Sequence, residues 1–158
     1  MTKLITCIVL LLPAVAAAQG SSCRLVSAAG LAFGSYDAMV STPTDTLTNV
    51  IVQCTRDGGP QNVTVTLGLD RGLNGTSVND RRLSKQGGGD SLSYGLFRDA
   101  SRSMVWGFSA GIDAASRTFA VPNNKFASET FTIYGRIPPQ QNVSVGSYSD
   151  SVQITLMP

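Results

Sequence analysis

The chain contains no histidine, and that absence closes off much of enzymology at once. A Ser-His-Asp or Cys-His arrangement cannot be assembled, and no Cys/His zinc set can be completed. Charge is scarce as well. Asp, Glu, Lys and Arg make up 14% of residues, against roughly 25% in an average globular domain, and Gly, Ser and Thr fill the gap. Lys and Arg number 12 against 10 Asp and Glu, so no basic field exists to hold nucleic acid or an anionic membrane. Such a surface suits a packed extracellular polymer better than a free cytosolic enzyme. Sustained helical periodicity is also missing.

An apolar run over residues 4–15 follows Lys3. It is too short to span a bilayer, which takes roughly 20 residues, and Ala16-Ala17-Ala18 supplies the small residues a signal peptidase accepts. Residues 1–18 are therefore expected to be a cleaved signal peptide, leaving 19–158 as one exported domain large enough to bury a core. An N-terminal membrane anchor is the alternative. Cys7 leaves with the leader, so the mature chain holds Cys23 and Cys54. An even pair in an exported chain reads as a disulfide, closing a loop of about 31 residues and worth roughly 3 to 4 kcal/mol in the chain-entropy account. Two free thiols, or part of a metal site, are the alternatives.

What is present is alternation at a period of two. Residues 47–55 place Val50, Val52 and Cys54 on one face; residues 62–69 place Val63, Val65, Leu67 and Leu69 on one face and Asn62, Thr64 and Thr66 on the other. The turn cluster Asp57-Gly58-Gly59-Pro60 between them predicts a hairpin. Residues 91–97 gather Leu92, Tyr94 and Leu96, and residues 131–137 gather Phe131, Ile133 and Ile137. An earlier strand with a glycine irregularity is expected at 31–36. Residues 70–90 and 107–128 read as surface loops or short edge strands, and Pro138-Pro139 breaks the sheet. The last strand sets Tyr148, Val152, Ile154 and Leu156 on one parity, with Ser149, Ser151, Gln153 and Thr155 on the other.

Strands, turns and no helices predict an all-β protein, an immunoglobulin-like β-sandwich; a closed barrel is the alternative. A half-buried strand with nothing after it suggests a sandwich that is incomplete, lacking its last strand, with a sheet edge and an apolar groove left for another segment to cover.

Several residues invite sharper readings. Asp70, Asp80 and Asp90 form a possible carboxylate pair, but Asp in Gly- and Asn-containing segments usually supports turns. No Asp-x-Asp-x-Asp-Gly calcium loop occurs. Trp106, Phe97, Phe108 and Phe119 either form a surface-binding patch or pack the sandwich and its ends, and packing is the default. Arg81 and Arg82 are expected to be solvated loop charges. Asp150 lies on the apolar parity of the final strand: either the strand has not yet entered the core there, or the carboxylate bonds locally to the turn near Gly146.

An ordered set of motifs carries a resemblance. Cys23 is followed by Leu31-Ala32-Phe33-Gly34-Ser35-Tyr36, then Val50-Ile51-Val52-Gln53-Cys54-Thr55, Arg81-Arg82-Leu83, Leu92-Ser93-Tyr94-Gly95-Leu96-Phe97-Arg98-Asp99 with Trp106-Gly107, Tyr134-Gly135-Arg136-Ile137-Pro138, and Gly146-Ser147-Tyr148-Ser149-Asp150-Ser151-Val152. From Cys23 onward the chain resembles the spore coat protein U domain family, which includes Csu-type subunits of archaic chaperone-usher pili.

The resemblance implies an incomplete Ig-like subunit held by a periplasmic pilus chaperone, passed outward by an usher, and completed by a strand from a neighbouring subunit, without any cofactor. The mode is β-strand addition. It implies export through the periplasm to the cell surface, as fimbria or coat, and a role in adhesion or biofilm formation. Groove-lining residues are expected to be Val152, Ile154 and Leu156 with Phe33 across the gap. The sequons at Asn62, Asn74 and Asn142 are strand and turn residues in such a bacterial setting. A shaft subunit of this family carries a long extension before its first cysteine, whereas Gln19-Gly20-Ser21-Ser22 reaches only about 14 Å, so this protein is expected to accept a strand without donating one. The rival reading is a free-standing secreted β-sandwich that binds a carbohydrate or protein ligand.

Overall fold

Alternation becomes strand wherever both faces of the ladder find a role. The computed structural model describes residues 20–59 and 61–157, and no helix occurs among them. The expected signal peptide, with Cys7, lies outside the described residues, as do Pro60 and Pro158. Nine strands follow in chain order: β1 Ser21–Ala28, β2 Thr44–Arg56, β3 Gln61–Leu69, β4 Arg81–Lys85, β5 Ser91–Phe97, β6 Ala115–Val121, β7 Phe126–Ile137, β8 Tyr148–Ser149 and β9 Ile154–Met157. They form a six-stranded sheet, β1-β2-β7-β5-β4-β8, and a three-stranded sheet, β6-β3-β9. All pairings are antiparallel.

The core lies where the two inner faces meet. Val50, Val52 and Cys54 of β2 and Phe131, Ile133 and Ile137 of β7 face Val65, Leu67 and Leu69 of β3, all buried. Each such side chain contributes about 1.5 to 3 kcal/mol of burial. Trp106 is buried with them, packing on Phe131 at 6.3 Å between ring centroids, and its indole N–H donates to Leu67 O at 2.8 Å. Cys23 and Cys54 sit directly opposite in the β1/β2 register and are joined by a disulfide. β1 is otherwise exposed along almost its whole length, so it is held by its ladder with β2 and by Cys23, which packs against the core.

Three expectations need correction. The predicted hairpin between β2 and β3 does not form: both edges of β2 are taken by β1 and β7, so the turn at 57–59 carries the chain across to the opposite sheet. Both apolar parities thereby face one core from its two sides. Residues 31–36 are not a strand. After Ala28 the chain leaves the ladder of β2 and is held by side chains instead, with Thr48 Oγ1 donating to Ala29 O at 3.0 Å and Thr46 Oγ1 to Ala32 O at 2.8 Å. The final strand is also interrupted. Tyr148–Ser149 pairs with β4 in one sheet and Ile154–Met157 with β3 in the other, so residues 150–153 change sheets.

On the outer face, Arg136 grips Asp45 through both Nε (2.7 Å) and Nη2 (2.8 Å), with Arg102 Nη1 at 3.2 Å. The Arg136 hydrogen bond holds the Asp45 carboxyl below its ordinary value. Asp99 is held lower still, by Ser101 Oγ and then by the Met104 amide.

Two outcomes follow from this framework. Cys23→Ser with Cys54→Ser is expected to lower unfolding free energy by about 3 to 4 kcal/mol, read as a shift of the denaturant midpoint that equals the shift produced by reductant on the native chain. Stability is expected to hold from neutral pH down to the unfolded carboxylate pKa of about 3.9 and then to decline as acidification protonates groups whose folded values are depressed. Asp45→Asn, followed by chemical denaturation across that range, should flatten part of the decline.

Candidate functional site

The two sheets are unequal, and the mismatch opens a cleft. Among the described residues β9 has β3 on one side and no strand on the other. Beside that free edge lies a cavity of about 400 Å³. Its floor is the inner face of the six-stranded sheet: Thr48 of β2, Ile133 of β7, Tyr94 and Leu96 of β5, and Leu83 of β4. One wall is Val152 and Ile154; the other is Leu31 and Phe33. A continuation of about 820 Å³ runs between residues 31–38 and 143–150, and the two volumes share Leu31, Phe33, Leu83 and Asp150.

Gly135 explains why the wall at Leu31 and Phe33 sits where it does. It shares the inward parity of Ile133 and Ile137 on β7, and a Cβ there would lie 2.5 Å from Leu31 Cδ2 and 2.9 Å from Phe33 Cζ. Glycine leaves the space these two side chains fill. Phe33 then meets Tyr94 edge to face at 5.9 Å, a favoured aromatic geometry. Further along, the Tyr36 hydroxyl accepts from the Gln141 amide N–H at 2.7 Å, and the Gln141 side chain takes both backbone groups of Ser93, at 2.8 and 2.9 Å. That side chain thus stands in for a strand partner beside β5.

The opposite wall is held by polar groups. The Tyr94 hydroxyl donates to Asp150 Oδ2 at 2.7 Å, while Asp150 Oδ1 accepts from Leu73 N, Asn74 N and Asn74 Nδ2 at 3.0 to 3.3 Å. Burial first, and the bond to Asp150 second, push the Tyr94 phenol above its ordinary value, so it stays a donor at any physiological pH.

Arg81 departs most from expectation. It is fully buried, not a solvated loop charge. Its guanidinium donates to four backbone carbonyls: Asp70 O (2.8 Å from Nε, 2.6 Å from Nη2), Leu69 O (3.1 Å), Trp106 O (2.8 Å) and Val78 O (3.1 Å). Burial draws its pKa below the usual arginine value, and the nearby Tyr94, Asp70 and Asp150 oppose that. Its signal was present in the sequence, since Arg81 shares the parity of Leu83.

Of the residues expected to line a groove, Phe33, Val152 and Ile154 come together on the two walls. Leu156 lies beyond the cavity, opposite Leu67 and packed against the core. Asp70 accepts from Gly72 N and Gln153 N, Asp80 from Thr76 and Arg82, and Asp90 from Ser144 N, so these acids are occupied in turns and cross-links. Trp106, Phe97 and Phe119 are buried or half-buried, and Phe108 is half-exposed. Asp150 lies before the start of β9, where the strand has not yet entered its sheet, and its carboxylate bonds to the 73–74 loop and Tyr94, not to the turn near Gly146.

An all-β sandwich of two antiparallel sheets with this cleft defines a pilin-like fold. The CsuC–CsuE chaperone–tip adhesion subunit pre-assembly complex, from archaic chaperone-usher Csu pili of Acinetobacter baumannii, holds a chain that matches it with TM-score 0.53. Identity is 17%, over 86% of this chain and 39% of that one. The Spore Coat Protein U domain matches residues 10–155, and the chain belongs to that family. Protein U of Myxococcus xanthus is 30% identical over 150 residues, covering 87% of this chain and 78% of that protein.

Arg81→Met is expected to leave the four carbonyls without the guanidinium and to destabilise the fold by about 4 kcal/mol or more, since each buried acceptor without a donor costs about 1 to 3. Arg81→Lys should recover only part of the loss, because an ammonium cannot span the same fork of acceptors. Denaturant titration of both variants checks the order.

Proposed function

We propose that this chain is an exported structural subunit of a surface fimbria or coat that is completed by a β-strand from a partner. The observation that carries the reading is that, among the described residues, β9 has a free edge beside an uncovered, apolar-walled strip of the six-stranded sheet. An added strand bonds its backbone to β9 and sets alternate side chains against Phe33, Val152 and Ile154, with Leu156 extending that row. Edge and cleft are closed in one step.

The strand comes first from a periplasmic chaperone and then, at an outer-membrane usher, from a neighbouring subunit, so that adhesion or biofilm formation arises from assembly. Membership of the Spore Coat Protein U domain family supports this reading, as does likeness to a chain of a chaperone–tip adhesion subunit complex. Residues 1–18 act as the export signal in this scheme. The Cys23–Cys54 disulfide suits an oxidising compartment. No cofactor takes part.

Co-expression with a periplasmic pilus chaperone is expected to yield a one-to-one complex, and rapid degradation when the chaperone is omitted. Ile154→Lys, which puts a charge into the wall of the cleft, should abolish co-purification. A soluble monomer that resists protease without any partner overturns the proposal.

A further inference from the structure

The C-terminal stretch reaches β9 through residues 150–153, which belong to neither sheet. Their backbone is nonetheless well held, by loop 70–74. Asp70 N donates to Gln153 O (3.1 Å), Gln153 N to Asp70 Oδ1 (2.9 Å), Leu73 N to Ser151 O (3.1 Å) and Asn74 Nδ2 to Ser149 O (3.3 Å). Asp150 adds its three bonds into the same loop and the one from Tyr94. The loop passes close beneath: Gly72 has φ +76°, and a Cβ on it would overlap the Asp150 carboxylate. Arg81 in turn secures the root of the loop through the Leu69 and Asp70 carbonyls.

These contacts form one chain of support. It runs from the buried guanidinium to loop 70–74, from the loop to residues 150–153, and from Asp150 to Tyr94 on the floor of the cleft. Val152 lies inside the supported stretch and Ile154 immediately after it, so the wall of the cleft is the element being positioned. On the other side of β9 nothing pairs among the described residues. Without this seam, β9 would be tied by its four pairings to β3 alone.

We infer that Arg81, Asp70, Asp150 and Tyr94 are positioning residues for strand acceptance: they set the β9 wall before a partner strand arrives, so that binding need not order it. The inference rests on the proposed function for its purpose, but the seam is testable by itself. A pre-set wall removes the ordering penalty from association, and removing one hydrogen bond to a charged group is worth about tenfold or more in an equilibrium constant.

The test uses Tyr94→Phe, which deletes a single hydrogen bond, and Asp150→Asn, with Phe119→Leu on the distant strand β6 as a control for general destabilisation. In native-state hydrogen exchange the amides of Gln153 and β9 should exchange about tenfold faster in the two seam variants, while amides in the β3/β6 ladder keep wild-type rates. A second arm measures affinity for a synthetic twelve-residue peptide of alternating valine and threonine, flanked by lysines. Wild type and Phe119→Leu should bind equally, and the seam variants about tenfold more weakly. Unchanged exchange at β9, or acceleration spread evenly over both sheets, overturns the inference, as does equal peptide affinity of seam variants and a wild type that binds. If wild type does not bind the peptide, strand acceptance fails, and the exchange arm still decides whether the seam positions β9.

Discussion

Six strands facing three is the constraint on which the rest of this structure depends. With neighbouring strands about 4.8 Å apart, the larger sheet is about 24 Å wide and the smaller about 10 Å, so among the described residues a strip of inner face has no sheet above it. Hydrophobic burial demands that this strip be covered. Two segments partly do so, residues 31–38 from one side and 143–150, which include the short β8, from the other. Leu31 and Phe33 reach in over Gly135, and Val152 and Ile154 lean in from the carboxyl end, yet the gap between them stays open. The free edge of β9 and the shape of the cleft are consequences of one unequal division of strands.

Holding such a gap open requires rigid walls, and this chain builds them with polar groups. A buried arginine that pairs with carbonyls is an expensive device, because desolvating the cation must be offset by well-made hydrogen bonds. Arg81 meets that condition with five donor contacts to four carbonyls. It gathers the end of β3, the loop after it and the Trp106 backbone around one centre. An apolar residue of similar size would fill the volume but leave those carbonyls unpaired, so the arginine specifies a conformation as well as occupying space.

How much was legible beforehand depends on whether a feature is local. The faces of β2, β3, β5 and β7 were readable because side-chain direction alternates residue by residue, and the buried sets match those parities. Phe33, Val152 and Ile154 were readable as apolar positions on either side of a gap, and the structure brings all three to one cleft. Leu156 shares their parity but lies past the cavity, since pairing with β3 carries it toward Leu67. The β2/β3 hairpin was misread because a Gly-Gly turn is compatible with both a hairpin and a crossing between sheets. Only the occupancy of β2's edges by β1 and β7 separates the two. Residues 31–36 alternate like a strand, yet where a ladder partner would be Ala32 has the Thr46 hydroxyl, as Ala29 just before has that of Thr48.

By itself the sequence determined the all-β class, the inward face of each long strand and the cysteines that end up joined, since these follow from period, composition and the count of thiols. The tertiary structure alone decided which strands are neighbours, that the last strand breaks at Asp150 to change sheets, and that Arg81 lies inside. Those outcomes turn on bonds between groups far apart in the chain, such as Tyr94 with Asp150 and Arg81 with Trp106. No local pattern encodes such partners, because an exposed arginine and a buried one are the same residue until the carbonyls around it are in place.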